Sequence, residues 1–144
     1  MKKSTLPNQD METTESAMAD PRPLIPEGVY EAVCIVSQKS KYLGKERRLY
    51  LHYQITCGEY FNTKLFQSFN NNYKSFPMAS KYYTEWSLAN KALPKRRDKM
   101  SPDVFLNKAY KIKVTTVRRK YPDGNFMPEM FNYSKVDRIV EVLT

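Results

Sequence analysis

The chain has few of the residues that would signal a chemistry. It holds two cysteines, one histidine, one tryptophan and four glycines in 144 residues. Two cysteines build neither a disulfide framework nor a four-ligand zinc site. Cys34 and Cys57 are expected in strands, as buried free thiols in a reducing compartment. The lone histidine, His52, has no Ser, Cys or Asp near it in sequence to complete a catalytic triad. So few glycines leave neither a phosphate loop nor a dinucleotide fingerprint. Asp98 with Asp103, and Asp137 with Glu141, are poorly spaced to share a magnesium ion. No apolar run is long enough to cross a membrane, and Lys2 and Lys3 precede no apolar stretch of the secretory kind. These absences predict a cytoplasmic, non-catalytic protein that uses no metal and no cofactor.

What the chain does have is charge of one sign, and rings. Lys and Arg number 24 against 15 Asp and Glu, a net +9, and there are 11 Tyr and 7 Phe. The charge is uneven. Residues 1–20 hold two Lys, four Asp or Glu and no aromatic residue. With no apolar period either, residues 1–23 are expected to form a flexible N-terminal segment. Residues 24–144 are long enough for one domain with its own core, and they carry the whole positive excess. Between Lys91 and Lys120, eleven Lys or Arg meet two Asp. A body charged in this way attracts polyanions, and DNA or RNA is the polyanion a cytoplasmic setting offers.

Periodicity and turn residues predict five strands and one helix. Strand one runs from Val29 to Ser37. Strand two runs from about Arg47 to Thr56, with Leu49, Leu51, Tyr53 and Ile55 on one face and Arg48, Tyr50, His52 and Gln54 on the other. Strand three, about Tyr60 to Phe66, sets Phe61 and Leu65 against Tyr60, Asn62, Lys64 and Phe66. A helix opened by Pro77 and capped by Ser75 extends to about Asn90, with Met78, Tyr82 and Trp86 as its packing stripe. A short turn from Ser101 presents Val104, Phe105 and Leu106. Strand four, about Ala109 to Arg118, turns Tyr110, Ile112 and Val114 to one side and Lys111, Lys113 and Thr115 to the other. Pro122 to Asn125 read as a turn. Strand five, about Lys135 to Leu143, shares Val136, Val140 and Val142 on one face. Phe61, Phe69, Phe76, Phe105 and Trp86 are assigned to the core.

Three strands, a helix and two strands follow the element order of an OB fold, whose helix plugs one end. The expected fold is therefore mainly β, a five-stranded OB-fold barrel with one helix between strands three and four, over residues 24–144. Barrels of this type hold single strands in a positive groove with aromatic platforms for the bases. Lys41, Lys45, Arg47, Arg48, Lys64, Arg96, Arg97, Lys111, Lys113, Arg118, Arg119 and Lys120 are the candidate phosphate contacts. Tyr42, Tyr50, Tyr60, Phe66, Tyr73 and Tyr121 are the candidate stacking residues.

The element order, the aromatic helix segment from Ser80 to Trp86 and the basic stretch before strand four together resemble the small OB-fold proteins of phages and mobile elements that coat single-stranded DNA. The resemblance covers roughly residues 24–143 and implies largely sequence-independent binding of single-stranded DNA in replication or recombination. RNA stays open as a partner, because stacking and phosphate contacts do not read a 2′-hydroxyl. The alternative is a protein-interaction or structural component of a phage or mobile-element machine, using the same rings to bind protein. Convergence of rings and cations on one face would separate the two. Strand five, as a sheet edge, can also pair between two copies in a homodimer.

Overall fold

Alternation of apolar and polar residues builds the sheet. In β2 (Lys45–Ile55), Leu49, Leu51, Tyr53 and Ile55 are all buried, as a period of two requires. In β4 (Ala109–Val117), Tyr110, Ile112 and Val114 are fully buried in the same way. The structure, a computed structural model, describes residues 22–42, 45–71 and 75–144, without the side chains of residues 42 and 45–47. Residues 1–21 of the expected N-terminal segment therefore lie outside the described residues. β1 (Gly28–Tyr42), β3 (Lys64–Asn70) and β5 (Tyr133–Val142) complete an antiparallel sheet of five strands in the order β3-β2-β1-β4-β5. One helix, α1 (Lys81–Asn90), lies between β3 and β4. This is a mainly-β domain with an OB-like topology. Among the described residues, no helix is long and apolar enough to cross a membrane.

The expected closed barrel is not what forms. β3 and β5 are the two edges of an open sheet, and no backbone ladder joins them. Side chains occupy the seam instead. Gln67 of β3, fully buried, donates Nε2 to Glu85 Oε1 of α1 at 2.9 Å. The same carboxylate oxygen accepts the Ile139 N–H of β5 at 2.7 Å. Tyr53 donates its hydroxyl to Gln67 Oε1 at 2.9 Å, which anchors the amide from β2. A helix side chain thus stands where the carbonyl of a closing strand would. Burial holds the Glu85 carboxyl above its ordinary pKa, outweighing the hydrogen bonds from Gln67 and Ile139 that favour its charge.

Curvature without glycine comes from β-bulges. The β1–β2 pairing slips between Cys34 and Val36 and again between Ser40 and Lys41. The β4–β5 pairing slips twice, around Lys111/Ile112 and Lys113/Val114. These slips overturn the even alternation expected in strand five. Val136 and Ile139 point inward, while Val140 is 41 % exposed.

Three other expectations need correcting. Strand three begins at Lys64, because the residues before it form a turn in which Asn62 adopts φ 70° and donates its N–H to Ile55 O. Phe61, on that turn, is exposed and not core. The helix begins at Lys81, with Ser80 Oγ accepting the Tyr83 N–H as its cap; Met78 precedes it and is exposed. Cys57 lies exposed beyond β2, whereas Cys34 is buried and its thiol is pushed up to about 12 by burial. Of the expected stripe, Tyr82 and Trp86 do face the core. Tyr82 donates to Met100 O at 2.7 Å and Trp86 Nε1 to Ser101 O at 2.9 Å, so both rings enter the core with their polar atoms satisfied. Phe69, Phe76 and Phe105 pack around Tyr82.

Candidate nucleic-acid interface

Residues paired across an antiparallel sheet share a face, so the register defines the outer surface. Arg48 pairs with Asn70, Tyr50 with Ser68, His52 with Phe66 and Gln54 with Lys64. All eight point away from the core that Leu49, Leu51 and Tyr53 fill. On this face Tyr50 meets Phe66 edge-on, with ring centroids 5.7 Å apart. Phe66 in turn lies 6.1 Å from the ring of Tyr133, the two planes within 21° of parallel. Tyr133 is the first residue of β5, so the row of rings crosses the seam that the backbone leaves open.

Cations line the row. Arg48 Nη2 donates to Ser68 Oγ, the register partner of Tyr50, at 2.7 Å, which holds its guanidinium on this face. The Arg119 guanidinium is 5.0 Å from the Tyr133 ring centre, and that of Arg22 is 4.3 Å from it. The connection from β4 to β5 folds back on itself. Gly124 takes φ 93°, Tyr121 N–H donates to Asn125 O, and Lys120 bridges Phe126. Phe126 then carries Arg118 at 3.7 Å and Lys120 at 5.0 Å over its ring. Tyr121 sits exposed at the tip. His52 bonds Gln38 Oε1 through Nε2 at 3.1 Å, and burial lowers its pKa, so the imidazole is neutral near pH 7. Among the described residues, no group of three His, Cys, Asp or Glu is placed to hold a metal ion.

The structure therefore brings Arg48, Tyr50, Lys64 and Phe66 onto one face, with Arg118, Arg119, Lys120 and Tyr121 on the hairpin beside it. Other candidates lie elsewhere. Tyr60 packs edge-on against Tyr30. Lys111 pairs with Glu141 at 3.7 Å on the outer side of β4 and β5, and Lys113 lies in register with Arg138 on that same side. Arg96 grips Asp98 through two hydrogen bonds, which hold the Asp98 carboxyl below its ordinary pKa. Arg97 is exposed, and its carbonyl accepts the Phe76 N–H. Lys41 is exposed at the far end of β1. Tyr73 and the side chains of Tyr42, Lys45 and Arg47 lie outside the described residues.

No protein-family model matches the chain, and no curated protein matches its sequence. Function has to be read from the side chains of the site, since a fold of this kind hosts many. Sequence reasoning missed Tyr133, Phe126 and Arg22. A signal for the first two exists: the Pro122–Asn125 turn is flanked by Tyr121 and Phe126, with a basic run before it and Tyr133 soon after. Nothing local marks Arg22.

Proposed function

We propose that this protein binds single-stranded DNA along the outer face of β2 and β3, largely without regard to sequence, and that it performs no chemistry. The observation that carries this reading is the row of rings Tyr50, Phe66 and Tyr133, with Phe66 touching both others, Arg48 on the same face and Arg119 over Tyr133. Aromatic faces accept any base, and each stacked base contributes about 1–3 kcal/mol. Arg48, Lys64, Arg118, Arg119 and Lys120 would meet phosphates, which add affinity and salt dependence but no base readout. The reading as a non-enzyme is supported by His52, whose ring bonds an amide and not a nucleophile. The resemblance to phage and mobile-element coating proteins suggests the setting: replication, recombination or protection of single strands in the cytoplasm.

The test is a titration into fluorescent oligo-dT of about 30 bases, enough for several contacts in a groove of this size. A matching RNA and a duplex are run beside it at two salt concentrations. Salt-sensitive binding that favours oligo-dT is expected. Equal weak binding to every polyanion, or none, overturns the reading.

A second reading has its own observation. Met78, Tyr83, Leu88, Ala92 and Leu93 line an open groove of about 520 Å³ beside α1, and Met78 and Leu93 are among the most exposed apolar residues described. Contiguous apolar surface of this kind suits a protein partner. A homodimer through β5 is less favoured, because two of its amides are already used. Ser134 N–H donates to Pro23 O and Ile139 N–H to Glu85.

A further inference from the structure

The lead-in to β1 is strapped across the start of β5. Ser134 N–H donates to Pro23 O at 2.9 Å, Ile25 N–H donates to Ser134 Oγ at 2.8 Å, and that hydroxyl donates back to Ile25 O at 3.1 Å. Ile25 itself is buried. One serine therefore fixes the backbone immediately after Arg22, and this delivers the Arg22 side chain to a defined place. Its guanidinium carbon lies 4.9 Å from the Phe66 ring centre and 4.3 Å from that of Tyr133. The two ring centres are 6.1 Å apart with their planes within 21° of parallel, and the guanidinium carbon lies within 5 Å of both. A flat, delocalised cation over two ring faces sits where a nucleobase would stack.

We propose that Phe66 and Tyr133 form a nucleobase subsite which Arg22 fills in the free protein, and that a single strand takes the subsite by displacing Arg22. The inference rests on the single-strand reading above and adds an internal competitor to it. A cation on a π-face and a base on the same face exclude one another, so the free energy of the Arg22 contact subtracts from that of the first stacked base. The strap stays in place through Ser134, and only the side chain has to move. Arg119, also over Tyr133, keeps a positive charge beside the vacated ring for the adjoining phosphate.

Arg22→Lys tests this directly, since lysine keeps the charge but cannot lie flat across two rings. The variant is expected to bind oligo-dT about three- to tenfold more tightly than the wild type, because the flat contact across two rings is lost and the internal competitor weakens. An arginine that served as an ordinary phosphate contact would give the opposite: unchanged or weaker binding by Arg22→Lys, and by Arg22→Ala a weaker complex with a smaller salt slope. A second readout does not depend on affinity. The Arg22 side-chain proton resonances, displaced by the ring currents of Phe66 and Tyr133, should return to ordinary positions on saturation with oligo-dT. Resonances that stay displaced at saturation overturn the displacement. If neither the wild type nor the variants bind any oligonucleotide, the single-strand reading itself fails. If the wild type binds and Arg22→Lys is no tighter, only the role of Arg22 fails.

Discussion

Two basic surfaces of this molecule look alike in composition and differ in what their charges face. On β4 and β5, on the start of α1 and on the loop after it, several cations meet carboxylates: Lys111 with Glu141, Lys81 and Arg138 with Asp137, Arg96 with Asp98. On the face of β2 and β3 and the hairpin beside it, cations meet rings and a hydroxyl. Arg119 lies over Tyr133, Arg118 and Lys120 over Phe126, and Arg48 against Ser68. Exposed ion pairs contribute little to stability, but they cancel the local field that would attract a polyanion. A cation resting on a ring keeps its charge available. Net charge alone therefore does not distinguish the two surfaces, whereas the partners of each charge do.

The comparison depends on the seam that holds Phe66 and Tyr133 together, so breaking the seam has the largest expected effect. Glu85→Ala leaves the buried Ile139 N–H without its acceptor and the Gln67 amide with only its long contact to Asp137 O at 3.4 Å. A loss of about 2–6 kcal/mol in unfolding free energy is expected, at about 1–3 kcal/mol for each of the two groups that lose this acceptor. A urea denaturation midpoint unchanged from wild type would mean that water replaces the carboxylate and that the seam is held by packing.

Removing a ring comes next. Phe66→Ala takes away the central platform and the contact that aligns Tyr133. Affinity for oligo-dT should fall roughly ten- to a hundredfold, the range for one or two stacked bases. Tyr60→Ala, which removes a ring packed on Tyr30 away from the row, should leave affinity within about twofold once folding is matched. Equal losses from both substitutions would remove the distinction between the two surfaces.

The sheet was legible where alternation is local. The inward faces of β2 and β4 and the buried positions of Tyr82 and Trp86 follow from spacing alone. Closure was not legible, because the side chains that bridge the seam come from distant parts of the chain. Glu85 lies 18 residues from Gln67 and 54 from Ile139, and no periodicity connects them. The bulges in β5 are equally silent in sequence, and they moved Val140 outward. The candidate face was half legible. Arg48, Tyr50, Lys64 and Phe66 were assigned to the outer side by parity, and they lie there. Tyr133 and Arg22 owe their position to the seam and the strap, so composition could not single them out. Lys111 looked identical to Arg119 in sequence, because Glu141 faces it only across the ladder.

Charge removal should produce smaller effects and is the sharpest form of the comparison. Arg119→Ala is expected to lower affinity a few-fold and to reduce the dependence of log affinity on log salt by about 0.7, the value for one phosphate contact on a single strand. Lys111→Ala is expected to change neither quantity measurably, since Glu141 already shares its charge. Fluorescence titrations at several salt concentrations measure both. Equal slopes lost at the two sites would mean that the strand follows total charge and not the ring-lined face.

The smallest effect is a pH dependence, and it isolates the seam from every other carboxyl. Glu85 has a folded-state pKa raised by burial above its ordinary value. Between the unfolded and folded pKa, the native state therefore holds the proton more tightly than the unfolded chain does. Stability contributed by this group is complete below the unfolded pKa and is lost as pH rises through the folded one. Asp98, held low by Arg96, works in the opposite direction at lower pH, so the wild-type curve alone is ambiguous. Glu85→Gln resolves it. The amide retains an Oε1 that accepts from Gln67 and Ile139, but it cannot ionise. The difference in urea midpoint between variant and wild type should therefore move in favour of the variant from about pH 4 to about pH 8, while the Asp98 contribution cancels. A difference that stays constant over that range would mean that the hydrogen bonds from Gln67 and Ile139, with the nearby Lys81 and Arg138, cancel the effect of burial. A difference that moves against the variant would mean that they outweigh it.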